Sequence, residues 1–296
     1  MYIHLPYEDL IRRRLVNLVR LTCCFFYRVL PPGLCTRLAY SWCGRVLGSC
    51  LVSPGDSIYP CDFGINLRLS RDDALLTGIA YMGRTNPLET ELVRKYLKSG
   101  DTLVQIGTYK DGWLALVGSS AVGPQGHVVC FEPISEYAEC LKRNVNLNNR
   151  NNIIVEQFAV SDATGNVRFA VAGGNSSMVL TDKPNTVTVK SVSLDEYVRS
   201  KKITTIDFLI IDVEGAEPLV LKGGRRTLEN SVSFLLMEVI DDFLRQSGTS
   251  AQQLVQTVIA MGFHPYVITR EGLRSWEPGK ESETLNMFFT KKEIML

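Results

Sequence analysis

Short apolar segments alternate with helical segments from about residue 102 to residue 290, and this alternation restricts the chain to a small set of folds. Strands that are joined through helices pair in parallel, and both faces of their sheet are then covered by helices. The segment Ile206–Ile211 is apolar enough to be buried on both faces. The pattern therefore predicts an α/β protein with a mostly parallel sheet and helices on both faces.

The strands of the predicted sheet follow one another at short intervals. They are Thr102–Ile106, His127–Phe131, Ile153–Val160, Ile206–Ile211, Val232–Val239, Phe263–Thr269 and Leu285–Thr290. Two further segments, Val167–Val171 and Val187–Val192, predict an inserted hairpin. No helical segment separates the last two strands, which predicts that the sheet ends in an antiparallel edge.

Residues 1–60 differ in composition from the remainder. The whole chain has a net charge of +1, whereas residues 1–50 contain seven Arg, no Lys and two acidic residues, a local charge of 7 − 2 = +5. Five of the eight cysteines also lie in this part, Cys23, Cys24, Cys35, Cys43 and Cys50, and a sixth, Cys61, directly follows it. We predict a basic, cysteine-rich extension at residues 1–60 and a main domain at residues 61–296.

The extension contains one amphipathic segment, residues 8–30. Its apolar residues have helical spacing, but Asn17, Arg20 and Arg28 interrupt the run and argue against a membrane span. Two interpretations stay open. The helix lies on an anionic membrane surface as a peripheral contact, or it packs against the main domain or has no function.

Composition also limits the partners and the location. A net charge near zero gives no basic field for nucleic acid, so no nucleic-acid partner is expected. The cysteines lack paired C-x-x-C spacing, which argues against zinc. Cys130 and Cys140 fall inside regular elements, which favours reduced thiols and a cytoplasmic protein. The sequence does not specify an oligomeric state.

Candidate ligand-binding residues follow the predicted strands, because open α/β sheets bind ligands outside the carboxyl ends of their strands. The glycine turn Gly107–Gly112 follows the first strand, and Glu132 follows the second. A glycine turn with an acidic residue at that distance indicates an adenosine-containing ligand whose ribose hydroxyls bind Glu132. The turn does not have the dinucleotide fingerprint G-x-G-x-x-G. It is not a P-loop either, because Trp113 follows Gly112 where a P-loop has Lys.

From about residue 81 to residue 290 the chain resembles the FkbM family of S-adenosylmethionine-dependent methyltransferases. The matching residues are Leu88-Glu89-Thr90, Gly100-Asp101, Gly107, Phe131-Glu132-Pro133, Leu141-Lys-Arg-Asn144, Ala159-Val160-Ser161-Asp162, Gly165, Ser193-Leu194-Asp195, Ile211-Asp-Val-Glu-Gly-Ala-Glu217, Leu221-Lys-Gly223, Glu238, Gly262-Phe263 and Asn286. Residues 1–60 lie outside the resemblance.

The resemblance implies the seven-stranded class I methyltransferase fold and S-adenosylmethionine as the cofactor. It also implies methyl transfer to the oxygen of a hydroxyl on a small molecule, glycan or lipid. Gly107 would lie beneath the methionine part of the cofactor, Glu132 would bind its ribose, and Ala159 and Asp162 would border its adenine. The predicted cofactor-binding set is completed by Gln105, Gly112 and Asp212.

A carboxylate can help catalysis by removing the hydroxyl proton. Asp212 and Glu238 are the preferred candidates because each ends a strand beside the expected methyl position, and Glu214 is the third. For Glu214 and Glu217 the alternative is a structural role in the first turn of a helix, where a carboxylate stabilises the macrodipole. Carboxylates also bind divalent cations, but no His accompanies these, and we predict no metal. Asn286, at the last strand, would face the same cleft or cap a loop.

Three departures from the family pattern leave a second function open. Gln105 stands where the family usually has Asp, the glycine turn is lengthened to Gly107–Gly112, and Ile210 replaces a basic residue. A neutral amide attracts the ammonium group of the cofactor less than a carboxylate does. The alternative to an active O-methyltransferase is therefore a catalytically silent methyltransferase-like binding module.

Overall fold

The computed structural model describes residues 57–69, 83–170, 177–178, 186–279 and 286–294. The chain divides into two units, residues 1–85 and residues 86–296. The predicted amphipathic helix of residues 8–30 and five of the six N-terminal cysteines lie outside the described residues. In the part of the chain that is described, no helix is long and apolar enough to cross a membrane.

In the first unit, β1 (Ser57–Pro60) pairs antiparallel with β2 (Asn66–Leu69). A 3₁₀ turn at Asp62–Gly64 connects the two strands. Within β2 the side chains alternate as in a half-buried strand, with Leu67 and Leu69 buried.

The second unit contains the remaining strands. In chain order they are β3 (Thr102–Ile106), β4 (His127–Phe131), β5 (Ile153–Glu156), β6 (Ala159–Ser161), β7 (Gly165–Ala170), β8 (Ser177–Met178), β9 (Thr186–Ser193), β10 (Ile206–Ile211), β11 (Val232–Glu238), β12 (His264–Thr269), β13 (Gly272–Ser275) and β14 (Asn286–Thr290). The main sheet has the order β13-β12-β14-β11-β10-β3-β4-β5, and a smaller sheet has the order β6-β9-β7-β8.

The five strands β5, β4, β3, β10 and β11 pair in parallel, which confirms the predicted mostly parallel sheet. Each of the seven predicted strands contributes to the main sheet, and the short strand β13 is its eighth strand. The last strand, β14, is antiparallel as expected, but it lies between β11 and β12 rather than at the edge. Met287, Phe288 and Phe289 are all fully buried, which explains why this strand occupies an interior position.

The predicted strand Ile153–Val160 is wrong as one element. Its first half is β5, which pairs with β4, and its second half is β6, which pairs with β9 of the smaller sheet. Gln157 and Phe158 separate the two strands. The predicted inserted hairpin is present as β7 and β9, which pair antiparallel.

The helices are α1 (Pro87–Tyr96), α2 (Trp113–Val122), α3 (Ser135–Leu147), α4 (Leu194–Lys201), α5 (Glu217–Gly223), α6 (Arg225–Asn230), α7 (Asp241–Gln246) and α8 (Ala251–Ala260). On one face of the main sheet Leu209 belongs to a buried cluster with Val220 of α5 and Val255 of α8. On the other face Phe288 packs against Tyr96 of α1, with ring centroids 4.9 Å apart. Helices therefore cover both faces, and the carboxyl ends of β3, β10 and β11 meet at one end of the sheet.

Candidate active site

The glycine turn begins where β3 ends, beside the end of β10. Gly107 has φ +80°, a region that favours glycine, and its N–H donates to the carbonyl oxygen of Phe131 at 3.1 Å. The N–H of Asp212 donates to the carbonyl of Ile106 at 3.0 Å. A Cβ at position 107 would overlap the carbonyl oxygen of Asp212, so only glycine allows the two strand ends to approach this closely.

Gly112 ends the same turn, and its left-handed backbone favours glycine. Its φ is +67°, and a Cβ there would overlap the side chain of Leu141 in α3. Next to it, the carboxylate of Asp111 accepts the N–H of Trp113, the first residue of α2, at 2.7 Å. The end of the lengthened turn is therefore held against α2 and α3 by contacts of Asp111 and Gly112.

Glu132 lies beneath this turn. Its carboxylate accepts one hydrogen bond from the N–H of Tyr109 at 3.0 Å and another from the N–H of Ile134 at 2.9 Å. Burial raises its pKa to about 7, against the lowering effect of these two hydrogen bonds. Glu132 thus joins the glycine turn to the end of β4, and its role as the ribose ligand stays a prediction.

The other predicted cofactor residues have different surroundings. Gln105 is buried, and its Oε1 has no hydrogen-bond partner among the described residues. Ala159 is buried in a small cluster with Ile134 and Phe169. Asp162 forms an ion pair with Lys222 of α5 at 2.8 Å, and this partner lowers its pKa.

The three predicted catalytic carboxylates lie together. Asp212 and Glu214 follow β10, Glu238 ends the neighbouring parallel strand β11, and one oxygen of each lies within 4.8 Å of the others. We call these three residues the carboxylate cluster. Their spacing would also admit a divalent cation, which prefers oxygen ligands, so the expected absence of a metal stays a prediction.

The carboxylate cluster has unusual proton affinities. Burial, together with the charges of Glu89 and Asp111, raises the pKa of Asp212 to about 6. The pKa of Glu214 rises to about 7 for the same reason, with contributions from Asp212 and Glu217. Burial and these like charges also raise the pKa of Glu238 strongly. Asp212 and Glu214, whose carboxyl groups are ordinarily ionised, therefore exchange protons near neutral pH, which suits a general base.

Glu217 serves a structural purpose. It is the first residue of α5, and its Oε1 accepts the N–H groups of Val213 at 3.1 Å and of Gly215 at 3.3 Å. Glu214, in contrast, precedes the helix and has a left-handed backbone with φ +55°. The helix-terminus interpretation therefore fits Glu217 and not Glu214.

Sequence reasoning missed two contacts of helix α1. Glu89 accepts a hydrogen bond from Nδ2 of Asn286 at 3.0 Å, and Asn286 pairs with Glu238 in the sheet. The Oγ1 of Thr90 accepts the indole N–H of Trp113 at 2.8 Å, which fastens α1 to the start of α2. The one available signal was the segment Leu88-Glu89-Thr90, which carries part of the family resemblance.

We expect Glu238→Gln to stabilise the fold at alkaline pH. Folding raises the pKa of Glu238, so the folded state favours its protonated form. The contribution of Glu238 to the free energy of unfolding is therefore complete below the ordinary pKa of 4.5, and it is lost as pH rises toward the folded-state pKa. Thermal denaturation should show little change at pH 4.5 and a higher Tm at pH 8.5, by about 2–4 °C for each kcal/mol gained. The exposed Glu271→Gln is the control, and an equal Tm change at both pH values would contradict the argument.

Comparison with known proteins identifies one family. The Methyltransferase FkbM domain matches residues 105–265, which is more than half of the chain. The hexuronic acid methyltransferase AglP of Haloferax volcanii is 29% identical over 118 residues, which are 39% of this chain and 48% of that protein. The chain therefore spans about half the length of this curated relative.

Solved structures with similar folds have low sequence identity. The SAM-dependent O-methyltransferase of Thermotoga maritima is 16% identical, with a TM-score of 0.42 over 82% of this chain and 80% of that chain. The O-methyltransferase of Bacillus cereus in complex with SAH is 13% identical, with a TM-score of 0.41 over 70% of this chain and 82% of that chain.

Proposed function

The chain belongs to the FkbM family of methyltransferases, and from that premise we propose that it transfers a methyl group from S-adenosylmethionine to the oxygen of a hydroxyl. The acceptor is a glycan, a lipid or a small molecule. The observation that carries the proposal is the carboxylate cluster, which brings Asp212, Glu214 and Glu238 together at the strand ends beside the glycine turn.

The residues around the turn fit the cofactor. Gly107 offers backbone at a point where no side chain fits, and Glu132 offers a carboxylate at the end of the next strand. The buried Oε1 of Gln105 lacks a donor among the described residues, and the ammonium group of a bound cofactor would supply one. These three residues would hold the methionine and ribose parts.

When bound, S-adenosylmethionine supplies a methyl carbon that bonds to the acceptor oxygen as its bond to sulfur breaks and the electron pair stays on sulfur. The protein must hold the acceptor hydroxyl in line and remove its proton. Asp212, with its pKa raised to about 6, is mostly ionised at pH 7 and accepts that proton at Oδ. Glu238 and Glu214 hold protons more tightly and act as hydrogen-bonding groups toward the acceptor.

Calorimetric titration with S-adenosylmethionine and with its demethylated product tests the proposal. The wild-type chain should bind both. Glu132→Gln should weaken binding by about 10- to 100-fold, because it removes a hydrogen-bonding charge worth about 1.5–3 kcal/mol. Glu136→Gln, an exposed residue nearby on α3, should leave the affinity unchanged.

Two results would separate the alternatives. If the chain binds neither S-adenosylmethionine nor its demethylated product, the proposal is rejected in favour of a silent binding module. That module is favoured by one observation, namely that both carboxylate oxygens of Glu132 already accept backbone N–H groups. Equal affinities of the wild-type chain and Glu132→Gln would reject only the assignment of Glu132 as ribose ligand.

We extend the proposal to the organisation of the chain. Residues 61–296 carry the methyltransferase, and residues 1–60 form a basic extension whose residues 8–30 make a peripheral membrane contact. A cytoplasmic location is supported by Cys130 and Cys140, whose thiols form no disulfide among the described residues.

A further inference from the structure

We infer that Glu89, in the first turn of α1, supplies the negative charge that holds the ammonium group of S-adenosylmethionine. The inference rests on the proposed function and adds a cofactor-binding residue to it. Where the family usually has an Asp that attracts this ammonium group, the present chain has Gln105. The amide of Gln105 offers a hydrogen-bond acceptor without charge, so a carboxylate on another element would provide the charge that this position lacks.

Gln105 and helix α1 lie on the same side of the main sheet. Gln105 pairs with Ile210 of β10, and Phe208 points to the same side because side chains alternate along a strand. Phe208 packs against Phe288, with ring centroids 5.8 Å apart, and Phe288 packs in turn against Tyr96 of α1. The side chain of Gln105 therefore projects from the face of the sheet that α1 covers.

Two hydrogen bonds fix the first turn of α1 at the ends of the strands. Nδ2 of Asn286, the first residue of β14, donates to Oε1 of Glu89 at 3.0 Å. The next residue, Thr90, accepts the indole N–H of Trp113 at 2.8 Å, where the glycine turn leads into α2. Glu89 thus lies between β14 and the glycine turn. Gly107 begins that turn, and the methionine part of the cofactor is predicted to lie against it.

The electrostatic surroundings of Glu89 suit a cationic ligand. After burial, the charge of Glu89 is the next contribution to the raised pKa of Asp212, so these two carboxyl groups lie close together. Burial also raises the pKa of Glu89 itself, and the hydrogen bonds that it accepts offset this only in part. A ligand cation would favour the ionised form of Glu89 and form a charge-assisted hydrogen bond with it. The same ammonium group would donate to Oε1 of Gln105, which has no partner among the described residues.

Calorimetric titration of the full chain with two probes tests the inference. The probes are S-adenosylhomocysteine, which is the demethylated product, and its analogue in which a hydrogen atom replaces the ammonium group. The wild-type chain should bind S-adenosylhomocysteine about 10- to 100-fold more tightly than the analogue. Glu89→Gln should reduce this ratio at least about 10-fold by weakening only the binding of S-adenosylhomocysteine.

Matched variants distinguish a charge effect from a structural one. Glu91→Gln makes the same change at an exposed position of α1 and should leave both affinities unchanged. Combining Glu89→Gln with Gln105→Asp returns a carboxylate to the family position and should restore the preference for S-adenosylhomocysteine. Asn286→Ala leaves Glu89 in place but removes its hydrogen bond, and it should reduce the ratio about threefold or more. This variant tests the inference even if Glu89→Gln does not fold.

The outcomes separate this inference from the proposed function. Equal affinities of the wild-type chain for the two probes would overturn recognition of the ammonium group. Equal weakening of both probes by Glu89→Gln would assign Glu89 a structural role and overturn the inference, while S-adenosylmethionine stays the cofactor. An unchanged ratio in Asn286→Ala would also count against it. Failure of the wild-type chain to bind S-adenosylhomocysteine would overturn the proposed function itself.

Discussion

Gly107→Ala should destabilise the protein more than a methyl group added at any other position of the glycine turn. A left-handed backbone costs a residue with Cβ about 1–2 kcal/mol, and overpacking costs about 1–3 kcal/mol more. The overlap is with the carbonyl oxygen of Asp212, which belongs to the backbone and cannot rotate away. We therefore expect the ends of β3 and β10 to separate and cofactor binding to be lost.

Thermal denaturation measures the effect, and the melting temperature should fall by about 10 °C, given about 2–4 °C for each kcal/mol in a domain of this size. Gly165→Ala is the matched control. A Cβ at Gly165 would have no atom within 4 Å, so its Tm should stay close to that of the wild type. A Gly107→Ala protein as stable as this control would show that the close approach of Gly107 and Asp212 is not a constraint.

Asp212→Asn should lower kcat by about 100- to 10,000-fold, the range contributed by a general base. The substitution keeps the shape of the side chain but removes a charge from the predicted cofactor-binding set, so kcat is measured at saturating S-adenosylmethionine. Glu217→Gln is the control in the same loop. Its remaining carbonyl oxygen still accepts the N–H groups of Val213 and Gly215, and kcat should stay near the wild-type value.

The pH profile provides a second readout of Asp212. A base works only when deprotonated, so activity falls as pH drops through its pKa, which burial raises from 3.8 to about 6. The wild-type chain should lose activity about tenfold per unit below pH 6, whereas the residual activity of Asp212→Asn should lack this limb. Full activity at pH 4.5 would exclude Asp212 as the base.

Local patterns in the sequence predicted the main sheet, because strand length, apolarity and alternation with helices are properties of short segments. The division of Ile153–Val160 into β5 and β6 escaped prediction, since it depends on which distant strand each half pairs with. The interior position of β14 has the same cause. Its partners β11 and β12 are chosen by the packing of the finished sheet rather than by neighbouring residues.

Sequence patterns also predicted one part of the candidate site and missed another. Asp212 and Glu238 were preferred because each ends a strand beside the methyl position that the family resemblance implies, and Gly107 was identified by its turn. The contact between Glu89 and Asn286 joins residues near opposite ends of the methyltransferase domain. No spacing rule indicates such a pair. The structural role of Glu217 could only be separated from that of Glu214 once the first residue of α5 was known.

The interior position of β14 has a consequence for biosynthesis. This strand is the last of the sheet to leave the ribosome, yet it fills the gap between β11 and β12. Until residue 290 has been made, both neighbours expose an unpaired edge beside the space that Phe288 and Phe289 will fill. The nascent chain is then open to aggregation, and chaperone protection matters most in this interval. Stop codons upstream of Asn286 would therefore yield products that misfold and are degraded.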